Sequence, residues 1–219
     1  MNAQSMQSMV AGFDSEAFGS QAVFRVALQA LSHPGQIMTM PMDAQLPQSG
    51  HGAAALLLLG LLDADTTLWM SESLAQSDAA AWLRFHTGCL CVSDPHEAQF
   101  LWLAQGQDQS QTQGHGQGQD PNWPALAQLR HGSDAYPDQS ATCVIEVQSL
   151  QAGASGWVLQ GPGIATQQTL QVQGLAADFL AQWADNHGRF PQGVDVFLTT
   201  PTQVVGLPRT TRILNSQEA

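Results

Sequence analysis

The chain has 219 residues, 18 acidic side chains against six basic ones, a formal net charge of −12 and no lysine. Without a side-chain amine there can be no Schiff base to pyridoxal phosphate and no phosphate-loop lysine, which removes two large enzyme classes. The negative balance disfavours nucleic acid, whose affinity comes largely from Lys and Arg neutralising phosphates, while 43% hydrophobic residues suit one soluble core with no need of a metal or disulfide staple.

In chain order, Phe24, Ala27, Leu28 and Leu31 repeat at i, i+3, i+4 and i+7 and predict an amphipathic helix that Pro34-Gly35 stops. Ile37–Met40 alternates as a strand. Ala53–Leu62 is a ten-residue apolar run, half of the roughly 20 that a bilayer requires, and reads as a buried helix with no membrane role. Thr66–Met70 is a strand, and Ser77 or Asp78 caps a helix that ends near Arg84-Phe85-His86-Thr87. Strands follow at Leu90–Val92 and Gln99–Leu103. Gln105–Asp120, rich in Gln and Gly with no apolar residue to bury, is expected as a mobile surface loop inside a single domain spanning 1–219.

Beyond it, Pro124–Arg130 predicts a short helix with Pro124 in its first turn. Ala141–Val147 is a buried strand. Gly156–Gln160 and Gln168–Val172 are strands around Gly161-Pro162-Gly163. Leu175–Asn186 is a helix with Leu175, Phe179, Leu180 and Trp183 on one face. Val194–Leu198 and Val204–Leu207 are strands flanking Pro201. Strands alternating with helices point to an α/β domain with a mixed sheet.

Three peptides concentrate polar chemistry. Arg84, His86 and Thr87 could hold an oxyanion and move a proton, or could satisfy carbonyls at a helix C-terminus. Asp195 and Arg209 could form an internal pair, or Arg209 with the Thr210 and Thr211 hydroxyls could clamp a phosphate. In both cases the structural role is the favoured reading, because compact polar groups usually satisfy the backbone. Cys89-Leu90-Cys91 places two thiols on one strand face, near only His86 and His96 as further metal ligands, so core packing is preferred to zinc. With Cys143 these make three cysteines, too few and too odd for a secreted disulfide framework; with polar opening residues and no positive side chain before Arg25, a cytoplasmic protein is expected. There is no Gly-x-Ser-x-Gly, His-Glu-x-x-His or Gly-x-Gly-x-x-Gly, and no catalytic or metal-binding residue is assigned.

Phe24-Arg25 with Ser32-His33-Pro34-Gly35, Arg84-Phe85-His86-Thr87, Gly161-Pro162-Gly163-Ile164, Phe190-Pro191-Gln192-Gly193-Val194-Asp195 and Pro208-Arg209-Thr210-Thr211 occur in that order. Together they resemble the PhnH family of the bacterial carbon–phosphorus lyase machinery, from about residue 13 to 212, with the Gln/Gly tract as a local insertion. The resemblance implies a three-layer α/β sandwich with a mixed sheet, similar to the large domain of pyridoxal-phosphate-dependent transferases but without the cofactor. It implies a homodimer and an assembly with the companion subunits PhnG, PhnI and PhnJ, which joins a phosphonate to the ribose of ATP and releases adenine.

Two functions follow from these readings. One is an accessory, non-catalytic subunit that supports the enzyme in making ribose 1-phosphonate 5-triphosphate. The other is a phosphate- or phosphonate-binding protein or transferase using Arg84, His86 and Arg209. The scarcity of positive charge favours the first.

Overall fold

The structure, a computed structural model, describes residues 10–104, 123–153 and 156–214; the 105–120 tract, expected as a loop, lies outside the described residues. Helix α1 (Glu16–Ser32) is followed by β1 (Met38–Thr39), α2 (Gly52–Leu61), β2 (Thr67–Met70), the single turn α3 (Glu72–Ala75) and α4 (Asp78–Thr87). Next come β3 (Leu90–Cys91), β4 (Phe100–Leu103), β5 (Thr142–Glu146), β6 (Ser149–Gln151), β7 (Trp157–Gln160) and β8 (Gln168–Gln173). Helix α5 (Phe179–Gly188) and strands β9 (Asp195–Thr199), β10 (Gln203–Leu207) and β11 (Arg212–Leu214) complete the order.

The expected mixed sheet has seven strands in the order β1-β10-β9-β5-β4-β2-β3. From β9 to β3 the pairing is parallel, and β10 and β1 are added antiparallel at one edge. Side chains alternate across it with the period of an extended strand. Val144 of β5 and Phe197 of β9 enter a core with α1, α2 and α4. Cys143, Ile145, Val196 and Leu198 enter a second core on the opposite face, with α5. A separate antiparallel sheet, β11-β7-β8-β6, packs against that second core. Its strands β6 and β11 escaped the sequence reading, because Ser149–Gln151 and Arg212–Leu214, three residues each, are too short to show alternation.

Helix α2 is buried on all sides from Ala53 to Leu59, as its uninterrupted apolar run requires. Helix α1 forms as expected but turns a different face inward. Its buried residues are Val23, Ala27 and Ala30, whereas Phe24 and Leu28 are exposed. Close packing is the reason: a Cβ added to Gly206 of β10 would lie 2.5 Å from the Ala30 backbone, and one on Gly60 of α2 would lie 2.8 Å from Val23. Only small side chains let the helix approach that closely. The expected helix at Pro124–Arg130 is a single 3-10 turn, Leu126–Gln128. Its first donors are taken by side chains, Ala125 N–H by Gln128 Oε1 at 2.9 Å and Leu126 N–H by Gln182 Oε1 at 2.8 Å. The chain then turns extended at Leu129.

Candidate functional site

The polar peptides singled out in the sequence settle at two places, both at the amino ends of parallel strands. Asp195 opens β9, opposite Thr142 of β5. Arg209 reaches back to it from the segment after β10: Nε donates to Asp195 Oδ1 at 3.1 Å, Nη2 to Oδ2 at 2.6 Å, and the Arg209 backbone N–H to Oδ1 at 2.8 Å. The remaining donors go to the Pro137 carbonyl, at 2.8 Å from Nη1, and to the Ser140 hydroxyl. A planar guanidinium with both edges engaged has no fork left for a phosphate. The carbonyls of the same turn are also held: His187 Nδ1 pairs with that of Arg209 at 3.0 Å, and Trp183 Nε1 donates to that of Thr211 at 2.9 Å. Thr210 presents its carbonyl to Gly161, where a Cβ would stand 2.8 Å away.

Arg84, His86 and Thr87 form the last turn of α4. Gly88, at φ +73°, caps that helix by donating to the Arg84 carbonyl, as a left-handed C-cap should. Thr87 Oγ1 donates to Leu83 O at 2.8 Å and accepts from Cys89 N–H at 3.1 Å. His86 Nε2 meets Val10 O at 3.1 Å, the same carbonyl that Trp82 Nε1 reaches. The imidazole lies edge-on to both Trp82 and Phe85, with ring centroids 5.0 Å apart in each case. Arg84 itself is exposed. Helix α4 leads into β3, and strands β2, β4 and β5 lie between β3 and β9. Four strand spacings amount to about 19 Å. Arg84 and His86 therefore do not converge with Arg209.

The other motif peptides are joints. A Cβ on Gly163, at φ +86°, would run into the Ser32 carbonyl and stand 2.9 Å from Pro34, so the Gly161–Ile164 turn sits directly on the Ser32–Gly35 peptide. Asn186 of α5 brackets Val194, donating to its carbonyl at 2.9 Å and accepting from its N–H at 2.8 Å. That holds the Phe190–Asp195 segment, which contains a cis Phe190–Pro191 bond.

Ligand crevices of open α/β sheets lie at the carboxyl ends of the strands. Here that edge carries a polar set the sequence reading missed. Ser71 follows β2, Glu146 ends β5, and Thr199 and Thr200 end β9; all four are buried. Glu146 Oε1 accepts from His51 N–H at 2.6 Å and from Trp102 Nε1 at 2.9 Å. His51, the N-cap of α2, pairs through Nδ1 with Thr199 O at 3.0 Å and turns Nε2 to within 3.8 Å of Glu146 Oε2. Burial pushes the Glu146 carboxyl above its usual range, opposed by His51 and by the two N–H donors. The arrangement is a carboxyl–imidazole pair able to hold or pass a proton. An acid inside the apolar strand Ala141–Val147 was the available signal, since carboxylates are seldom buried unpaired.

The cysteines separate. Cys143 is buried and Cys89 is buried, while Cys91 is exposed, so core packing describes two of the three. A hydrogen bond from Cys91 brings the Cys89 thiol down to about 6, against the opposing effect of burial and with help from Thr87 and Arg84; the Cys91 thiol is pushed up in turn. Among the described residues no three His, Cys, Asp or Glu side chains gather as a metal site, and no helix is long and apolar enough to cross a membrane.

Residues 11–214 match the family model described as bacterial phosphonate metabolism protein (PhnH). The chain is 33% identical over 213 residues to the alpha-D-ribose 1-methylphosphonate 5-triphosphate synthase subunit PhnH of Rhizobium meliloti, covering 97% of this chain and 98% of the relative. It is 30% identical over 193 residues to the putative C-P lyase subunit protein HtxG of Stutzerimonas stutzeri, covering 88% and 85%. With the motif peptides standing at the joints of one fold and the family model spanning nearly all of it, this chain belongs to the PhnH family.

Proposed function

We propose that the protein is an accessory subunit of a carbon–phosphorus lyase assembly, needed for the step that makes ribose 1-phosphonate 5-triphosphate from ATP and a phosphonate. The names of the two relatives support that setting, one as a subunit of a triphosphate synthase and the other as a C-P lyase subunit. The observation that carries the accessory role is Arg209, whose guanidinium is spent on Asp195, Pro137 and Ser140 inside the fold. Its nearest rival as a phosphate ligand, Arg84, stands beside β3, about four strand spacings from it.

The companions in this reading are PhnG, PhnI and PhnJ, and the isolated chain is a cytoplasmic homodimer without a cofactor. A similarity of the fold to the three-layer large domain of pyridoxal-phosphate-dependent transferases is part of the same proposal. The chain has no lysine with which to bind that cofactor covalently. Exposed Phe24 and Leu28, one turn apart on α1, with Phe18 nearer its start, provide apolar surface suited to assembly.

Co-expression with the companion subunits tests this directly. A tag on this chain should recover all of them, and omission of this chain should abolish formation of the triphosphate product. Full turnover by the companions alone would overturn the reading.

A further inference from the structure

We propose that Cys89 and Cys91 form a redox-active dithiol that closes to an intrachain disulfide when hydrogen peroxide reaches the sheet edge. The inference goes beyond the assembly role and does not rest on it.

The two residues are two apart at the start of an extended segment, so their side chains leave the same face. Strand β3 is only two residues long and stands at the edge of the seven-stranded sheet, where among the described residues it pairs with β2 alone. Its ties there include Leu90 N–H to Thr66 O at 2.9 Å and Val92 N–H to Leu68 O at 3.0 Å. A disulfide requires Cβ atoms roughly 3.5–4.5 Å apart, closer than same-face neighbours in a straight strand, so closure must bend the backbone. An edge strand can bend, because no second neighbour holds it. Gly88, in the left-handed conformation immediately before Cys89, supplies a pivot.

Access and activation are divided between the two sulfurs. Cys91 is exposed to an arriving oxidant, and Cys89 is buried behind it. At Cys89 the neighbouring Cys91 thiol favours the thiolate, burial opposes it, and the Arg84 guanidinium of α4 favours it. The thiolate of the pair attacks one peroxide oxygen and the O–O bond breaks. This leaves a sulfenic acid, and the departing hydroxide takes the proton released by the thiol to become water. The second thiol then displaces the sulfenic hydroxyl as a second water and the S–S bond forms. Two thiols and one peroxide thus yield one disulfide and two waters. Cys143, buried in β5, takes no part.

The test is intact-mass analysis of the purified full chain after hydrogen peroxide, with alkylation of the remaining thiols. The expected product is a monomer lighter by about 2 Da, with only Cys143 alkylated after unfolding and both thiols recovered on dithiothreitol treatment. Cys91→Ser should abolish the mass loss. Wild-type protein that shows no mass loss, oxidises to sulfinic acid instead, or links only between chains would overturn the proposal. So would a mass loss that survives in Cys91→Ser.

Discussion

Asp195 and Arg209 share two side-chain hydrogen bonds and one from the Arg209 backbone, so a single carboxylate fixes both the position of the arginine's main chain and the plane of its guanidinium. The pair joins the start of β9 to the segment leaving β10, and through Pro137 and Ser140 to the approach to β5. Its worth is conformational. The two side chains are only 12% and 21% accessible, so breaking the pair strands a poorly solvated charge.

Arg209→Ala is therefore expected to lower unfolding stability by about 2–3 kcal/mol, somewhat under the figure for a fully buried pair. Arg209→Lys should lose most of that, since a single ammonium cannot reproduce the fork. Urea unfolding of both variants measures it. A variant with wild-type stability but lost phosphonate binding would show instead that Arg209 serves a ligand.

Glu146 makes a pH prediction whose sign can be worked out. Burial raises its carboxyl, so the native state holds a proton that the unfolded chain releases at a lower pH. The group favours the fold below the unfolded carboxylate range, and that contribution disappears as pH rises through the folded value. Its titratable partner is His51, and Trp102 donates to it from β4. Glu146→Gln keeps an acceptor for His51 N–H and Trp102 Nε1 but does not titrate. Its stability relative to wild type should increase as pH climbs from the unfolded carboxylate range through the folded value, and then level off. A flat difference across paired denaturation curves would remove the effect of burial from the argument.

Two glycines should respond in opposite directions. Gly163→Ala forces a side chain to a positive φ and onto the Ser32 carbonyl, and should cost about 2–4 kcal/mol. Gly188→Ala, at the end of α5 with nothing within 4 Å of the new Cβ, should stabilise by about 0.5–1 kcal/mol. Thermal unfolding distinguishes them, and a tolerated Gly163→Ala would break the link between the two motif peptides.

The exposed side of α1 should be covered in the assembly. The double substitution Phe24→Ser with Leu28→Ser should leave the isolated chain's stability within about 0.5 kcal/mol of wild type. It should reduce recovery of the companion subunits by about tenfold or more, equivalent to about 1.4 kcal/mol of association energy. Undiminished recovery would place the interface elsewhere.

Helix α1 also shows where sequence reasoning stops. Its existence was legible in the spacing of Phe24, Ala27, Leu28 and Leu31, but a period states only that a helix has a face. Large residues were taken as the buried side, whereas Gly206 and Gly60 demand a close approach that only Val23, Ala27 and Ala30 permit. The glycines lie 30 or more residues away in the chain, so no local pattern could reveal the choice. Glu146 is a similar case: its acid in an apolar strand was visible, but its partner His51 is 95 positions away.

Local chemistry in the chain was enough to establish most elements, a helix capped at Ser77 or Asp78, the exclusion of lysine-dependent catalysis and, through the order of its short peptides, the family. Those properties depend on neighbours within a few residues or on composition, and both are written linearly. The spent state of Arg209, the separation of Arg84 from it and the gathering of Ser71, Glu146, Thr199 and Thr200 at one sheet edge were settled by strand order alone. Parallel strands bring together residues far apart in sequence, and which strands become neighbours is decided by how two cores close on either side of the sheet.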